Sequence, residues 1–189
     1  MSQREAEGGA FGQADPDPVE ASAVFSADRL YRYALRRIWS SGPVMSFVML
    51  NPSIANETEN DPTIRRCMAF ARAAGCAGLA VVNLYAWRST VPGGLRTAAD
   101  PVGPDNHRWL ACALAQPGPL VAAWGALAER RRVSEVLELV GRRELQCLGV
   151  TAHGQPRHPL YVRADTPLQS WPTARSSESL DLVAEGTDG

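Results

Sequence analysis

Lysine is absent: all 19 basic residues of this 189-residue chain are arginine. Without it there is no Walker-type phosphate lysine and no lysine Schiff base. Cysteine is sparse, and Cys67, Cys76, Cys112 and Cys147 form no C-x-x-C pair. A zinc or iron–sulfur framework and a disulfide scaffold are therefore not expected, and the thiols read mostly as small core residues. No apolar run approaches the ~20 residues that cross a bilayer. The N-terminus lacks the basic start and apolar segment of a secretory signal. A cytoplasmic protein without a membrane partner is the expectation. With a net charge of -1, no global basic field draws the chain to nucleic acid, although a local basic patch stays open. G-x-S-x-G, H-E-x-x-H, P-loop and G-x-G-x-x-G motifs are all missing.

What is present fits one ordinary globular domain, with 45% hydrophobic and 21% charged residues. Residues 1–22 read as a disordered leader, 23–171 as a single domain and 172–189 as a disordered tail. The organising stretch is residues 44–66. The apolar run Val44–Leu50 stops at Asn51-Pro52-Ser53, and Asp61-Pro62 then caps a helix that ends at Gly75. Before it, Tyr31, Tyr33 and Leu35 alternate with Arg32, Ala34 and Arg36, which predicts a strand making a hairpin into the central one. Further strands are expected at 78–82, 119–123 and 145–150, with helices from Asp105 to about Leu114 and over 126–140. Strands alternating with helices predict a three-layer α/β/α sandwich. Its central sheet is expected to be mostly parallel and four-stranded, with an N-terminal hairpin strand added.

In such sheets ligands bind beyond the carboxyl ends of the strands. Asn51, Asn83, Trp124 and the loop from His153 to His158 should meet there. Asn51 and Asn83 offer amide donors and acceptors able to read a base edge or hold water; each alone is equally a turn residue satisfying nearby backbone. Trp124, Trp87, Tyr85 and Tyr161 can stack on a planar ligand or pack beneath the loops. His158 can serve as a general acid or be a satisfied structural histidine. His153 and Asp61 are weaker candidates. Arg65, Arg66, Arg88 and Arg157 can fork onto phosphate or, each taken separately, be solvated surface residues; Arg65 and Arg66 can also pair with Asp61 or Glu59.

Two resemblances follow from these residues. RYALRRIW, MLNPSIAN, DPTIRRC, VVNLYAWR, DPVGPDN, AAWGA and RHPLYV, in that order, resemble a bacterial and phage domain-of-unknown-function family, DUF1643. The motif order is also similar to the uracil-DNA glycosylase superfamily. Leu50-Asn51-Pro52-Ser53 resembles its water-positioning motif, Asn83 its base-reading asparagine and Trp124-Gly125 the end of its third strand. His158-Pro159-Leu160 resembles its His-Pro-Ser motif. Met49 stands where that superfamily has glycine, and Leu160 where it has serine. The resemblance implies metal-free, cofactor-free hydrolysis of an N-glycosidic bond on a flipped base, with nucleobase, nucleotide or DNA as partner. Asn51 and His158 would be catalytic. Asn83, Ser53, Trp124, Arg65, Arg88, Arg157 and Tyr161 would bind substrate. Two other classes compete: a non-catalytic module using the same pocket for a modified base, nucleotide or protein, and another enzyme of nucleotide metabolism. The latter would need a divalent ion, for which Asp61, Glu57, Glu59 and Asp100 are the loop carboxylates.

Overall fold

Residues 18–172, apart from 92, are described by the computed structural model. The expected leader and tail lie outside the described residues except for 18–22 and 172. The first strand, β1 (Glu20–Phe25), starts inside the stretch read as leader. It is followed by β2 (Arg32–Ile38), β3 (Val44–Met49), α1 (Pro62–Ala73), β4 (Gly78–Asn83), α2 (Gly94–Thr97) and α3 (Asn106–Leu114). Then come β5 (Leu120–Ala122), α4 (Arg130–Val140), β6 (Gln146–Cys147), a 3-10 turn at Pro159–Tyr161, and β7 (Gln169–Ser170).

Among the described residues the strands form one mixed sheet of seven, ordered β1-β2-β4-β3-β5-β6-β7. The neighbours β4, β3, β5 and β6 run parallel, while β1 and β2 on one side and β7 on the other are antiparallel. The fold is thus α/β, with a wider and more mixed sheet than the four-stranded one expected. The expected hairpin into β3 does not form. β2 pairs with β1 and with β4, which the β3–α1–β4 crossover inserts beside β3. An alternating pattern identifies a strand but not its partner.

β3 reads as a continuous apolar run because both of its faces are covered. Met45, Phe47 and Met49, with Leu79 and Val81 of β4, pack on Ile64, Cys67, Met68 and Phe70 of α1. Val48 and Val82 point the other way, into Leu110 and Leu114 of α3 and Val133, Val136 and Val140 of α4. Helix α1 starts as its sequence dictates: the Asp61 carboxylate accepts the Ile64 N–H at 2.8 Å, with Pro62 in the first turn. Gly75, at φ 71, carries the chain out beyond its end.

Other boundaries move. α4 begins at Arg130 rather than 126, because Glu129 is extended at its N-terminus and residues 126–129 form an open turn. β6 spans two residues rather than 145–150, and its other edge is taken by the unanticipated β7. The pairing of β1 with β2 slips between Val24 and Phe25, which face Ala34 and Arg32 and leave Tyr33 as an extra residue. Such a bulge shifts the in–out alternation. As a result Arg32 and Arg37 both reach the loop at 55–60, Arg32 through the Ala55 carbonyl and Arg37 through the Asn56 carbonyl and the Asn60 side chain.

Candidate functional site

A cavity of about 430 Å³ opens at the carboxyl ends of β3 and β4 and beyond the end of β5. That volume lies within the roughly 300–1,000 Å³ of small-molecule sites. Its walls include Asn51, Ser53, Asn83, Trp124, Arg157, His158 and Tyr161, so seven of the nine expected site residues meet there. Arg65 and Arg88 do not line it. The guanidinium of Arg65 bonds the Asn60 carbonyl, and that of Arg88 bonds the Arg29 carbonyl at 3.0 Å and lies over the Phe25 ring. Arg66 is a strap: it donates to the carbonyls of Pro159 and Val162, holding the 3-10 turn to α1. The ion pairs expected for Arg65 and Arg66 are replaced by backbone carbonyls.

Asn51 sits where β3 ends. Its Nδ2 donates to the carbonyls of Pro52 and Ser89, and the Ser89 N–H returns a bond to Pro52. These contacts tie the β3 loop to the β4 loop and orient the amide. Asn83, the last residue of β4, is 1% exposed, and its Nδ2 has no hydrogen-bond partner. A buried donor left unpaired costs about 1–3 kcal/mol, which makes this the least satisfied amide of the site. Trp124 is 2% exposed, donates to Gln155 at 2.8 Å and meets Trp171 edge-on at 5.0 Å. It is a wall of the cavity rather than a free stacking platform. Tyr161, 79% exposed, stands at the mouth beside the His158 ring. Trp87 packs against Tyr31, and Tyr85 is buried; neither lines the cavity.

His158 accepts the Leu160 N–H at Nδ1, so in the neutral ring the proton resides on Nε2. Burial holds its pKa below the ordinary 6.5, against the opposing pull of the Asp61 carboxylate. A neutral donor near neutral pH is the consequence. Arg157 anchors its Nε on the Val150 carbonyl and is exposed at the rim.

Three contributors were not foreseen. Arg32 lies on the cavity wall, where burial pushes its pKa down to about 10, Asp61 raises it, and Arg88 and Arg37 lower it further. Simple alternation puts it on the face opposite Tyr33 and Leu35, and the bulge shifts that register. Asn106, the first residue of α3, donates to the carbonyls of Asn83 and Leu84. Arg132 of α4 donates to the Leu84 carbonyl at 2.7 Å. These two pin the chain that presents Asn83, and a DN or RRR string in sequence offers no hint of it.

The acids of the metal-dependent alternative are dispersed. Glu57 pairs with Arg29, Glu59 accepts from Asn56, and Asp100 caps its own turn. Only Asp61 reaches the cavity, and no group of three or more potential ligands occurs among the described residues. No described helix is long and apolar enough to cross a membrane.

No curated protein and no solved structure is significantly similar to the chain. One family model does match, over residues 32–160, and its span runs from the buried Arg32 to the turn after His158, enclosing most of the cavity wall. By that match the chain belongs to the family described as "Protein of unknown function (DUF1643)".

Proposed function

We propose that the cavity recognises a nucleobase or nucleotide, and that its most concrete activity is hydrolysis of an N-glycosidic bond. The observation that carries this reading is the Asn83 amide, buried on the cavity wall with its Nδ2 unpaired. A base carbonyl supplies the missing acceptor. The neutral His158 then donates from Nε2 to the departing base and stabilises the negative charge it acquires. Asn51, held through its Nδ2, directs Oδ1 toward an attacking water; an amide orients that water but does not deprotonate it. Arg157 and Tyr161 at the mouth hold phosphate and sugar or stack on a neighbouring base. In this reading the fold is a variant of the three-layer uracil-DNA glycosylase arrangement, and no metal takes part.

A base-release assay tests it, using damaged and modified DNA strands, nucleosides and nucleotides with chelator present. Wild-type release that falls at least ~100-fold in Asn51→Ala, Asn83→Ala and His158→Ala supports hydrolysis, in line with the roughly 10²–10⁴ that a positioned acid or base contributes. A second reading, a non-catalytic binding module, is favoured by one feature: among the described residues Asp61 is the one carboxylate on the cavity, and its Oδ1 is taken up in capping α1. Binding without turnover in wild type, lost in Asn83→Ala, would select it.

A further inference from the structure

Three buried arginines separate into two kinds. Arg37 is fully enclosed and uses every nitrogen of its fork, on the Asn60 side chain and the carbonyls of Ser22, Arg36, Asn56 and Glu59. Arg132 holds the Leu84 carbonyl and pairs with Glu135; its Nη2 is unpaired, but its charge is met by that carboxylate and it does not line the cavity. Arg32, five residues before Arg37 on the same strand, is 2% exposed, and among the described residues its side chain makes one hydrogen bond, from Nη1 to the Ala55 carbonyl at 2.8 Å. Its Nε has no partner, and it forms no ion pair among the described residues. The acid that most offsets its charge, Asp61, has its Oδ1 on the Ile64 N–H.

A guanidinium cannot shed its proton to escape this burial. An uncompensated buried ion costs several kcal/mol. Surface arginines need no such explanation, but this one lines a cavity of ligand size. A second observation points the same way. Among cavity residues, the buried side-chain atoms without partners are Arg32 Nε and Asn83 Nδ2, and both are donors. Their complement is rich in acceptors, and at Arg32 it carries negative charge.

We propose that Arg32 is an anion anchor and that the ligand enters with an oxyanion, a carboxylate or a phosphate, directed at it. The planar fork suits the two oxygens of such a group. The proposal rests on the cavity being a nucleobase or nucleotide site, and narrows that ligand to an acidic one. Arg157, exposed at the rim, serves whatever lies outside.

Calorimetric titration of the full chain tests it with matched pairs: uracil against orotate, and uridine against uridine 5′-monophosphate. Acetate and inorganic phosphate serve as probes without a base. The charged member of at least one pair should bind ~10–100-fold tighter, equivalent to about 1.4–2.8 kcal/mol. Arg32→Gln should abolish that preference, bringing the charged member down to the affinity of its neutral partner. Arg32→Lys should keep part of it. A preference for orotate identifies a carboxylate, and one for the monophosphate a phosphate. Thermal unfolding separates ligand binding from scaffolding: Arg32→Gln should melt at or above the wild-type temperature, whereas Arg37→Gln should melt well below it. Equal binding of charged and neutral probes, a preference that survives in Arg32→Gln, absence of binding by every probe, or unfolding of both Arg32 variants would each overturn the anchor. If acetate or phosphate bind as tightly as the base-bearing probes and depend equally on Arg32, the anchor stands and base recognition falls.

Discussion

Asn83 and His158 present opposite cases of burial. The unpaired Nδ2 of Asn83 weakens the empty fold, so replacing it with leucine, close in shape and without a donor, should raise stability by about 1 kcal/mol or leave it unchanged. Urea unfolding measures this, and a loss above ~2 kcal/mol would show that the amide has a structural partner after all. His158 is satisfied at Nδ1 and desolvated, and its pKa is lowered in the folded state. The unfolded chain therefore binds the proton more readily. Its contribution to stability is complete above the unfolded value of 6.5 and declines as pH falls through 6.5 toward the lower folded pKa. Melting temperatures followed from pH 8 to pH 5 should drop less in His158→Gln than in wild type, once the carboxylates common to both are subtracted. Identical profiles would mean that the ring is not desolvated.

At the scale of elements, one helix cap and one bracing amide govern the site. Asp61→Ala removes the only side-chain cap of α1 and should cost about 0.5–2 kcal/mol, read by chemical denaturation. Asn106→Ala frees the carbonyls of Asn83 and Leu84 and should cost about 1–3 kcal/mol. It should also weaken ligand binding, because the turn bearing Asn83 loses its support from α3. Unchanged binding in a folded Asn106→Ala protein would place that support elsewhere. The local elements were legible because local rules decide them. Asp61-Pro62 announces a helix start wherever it lies, and Val44–Met49 is apolar enough to be a covered strand. Seven cavity residues were legible for the same reason, each following a strand by a residue or a short loop. What escaped depends on distant pairing. The position of β4 between β2 and β3 is set by the crossover, and the two-residue β7 is too short to carry a pattern. The placing of Arg32 hangs on one extra residue, Tyr33, in the register with β1. Arg65, in the first turn of α1, and Arg88 donate to backbone carbonyls away from the cavity, and composition does not distinguish such a cation from one that meets phosphate.

For the whole molecule, charge balance decides between DNA and a free nucleotide. The chain has a net charge of -1, and Arg157 is the exposed arginine on the cavity. Binding to DNA through this mouth should lose affinity with salt at a log–log slope of about -1, since each neutralised phosphate contributes roughly -0.9. Anisotropy titrations at several salt concentrations measure it, and a slope beyond about -5 would require a basic surface away from the cavity. The contact between Trp124 and Trp171 has a practical outcome of its own. Two indoles at 5.0 Å and nearly perpendicular couple their electronic transitions, and one of them forms part of the wall that a ligand must touch. The protein therefore carries its own optical reporter. Filling the cavity should alter the near-ultraviolet circular dichroism and the emission of that pair, so occupancy can be followed without dye or radiolabel, even for a ligand whose identity is being sought.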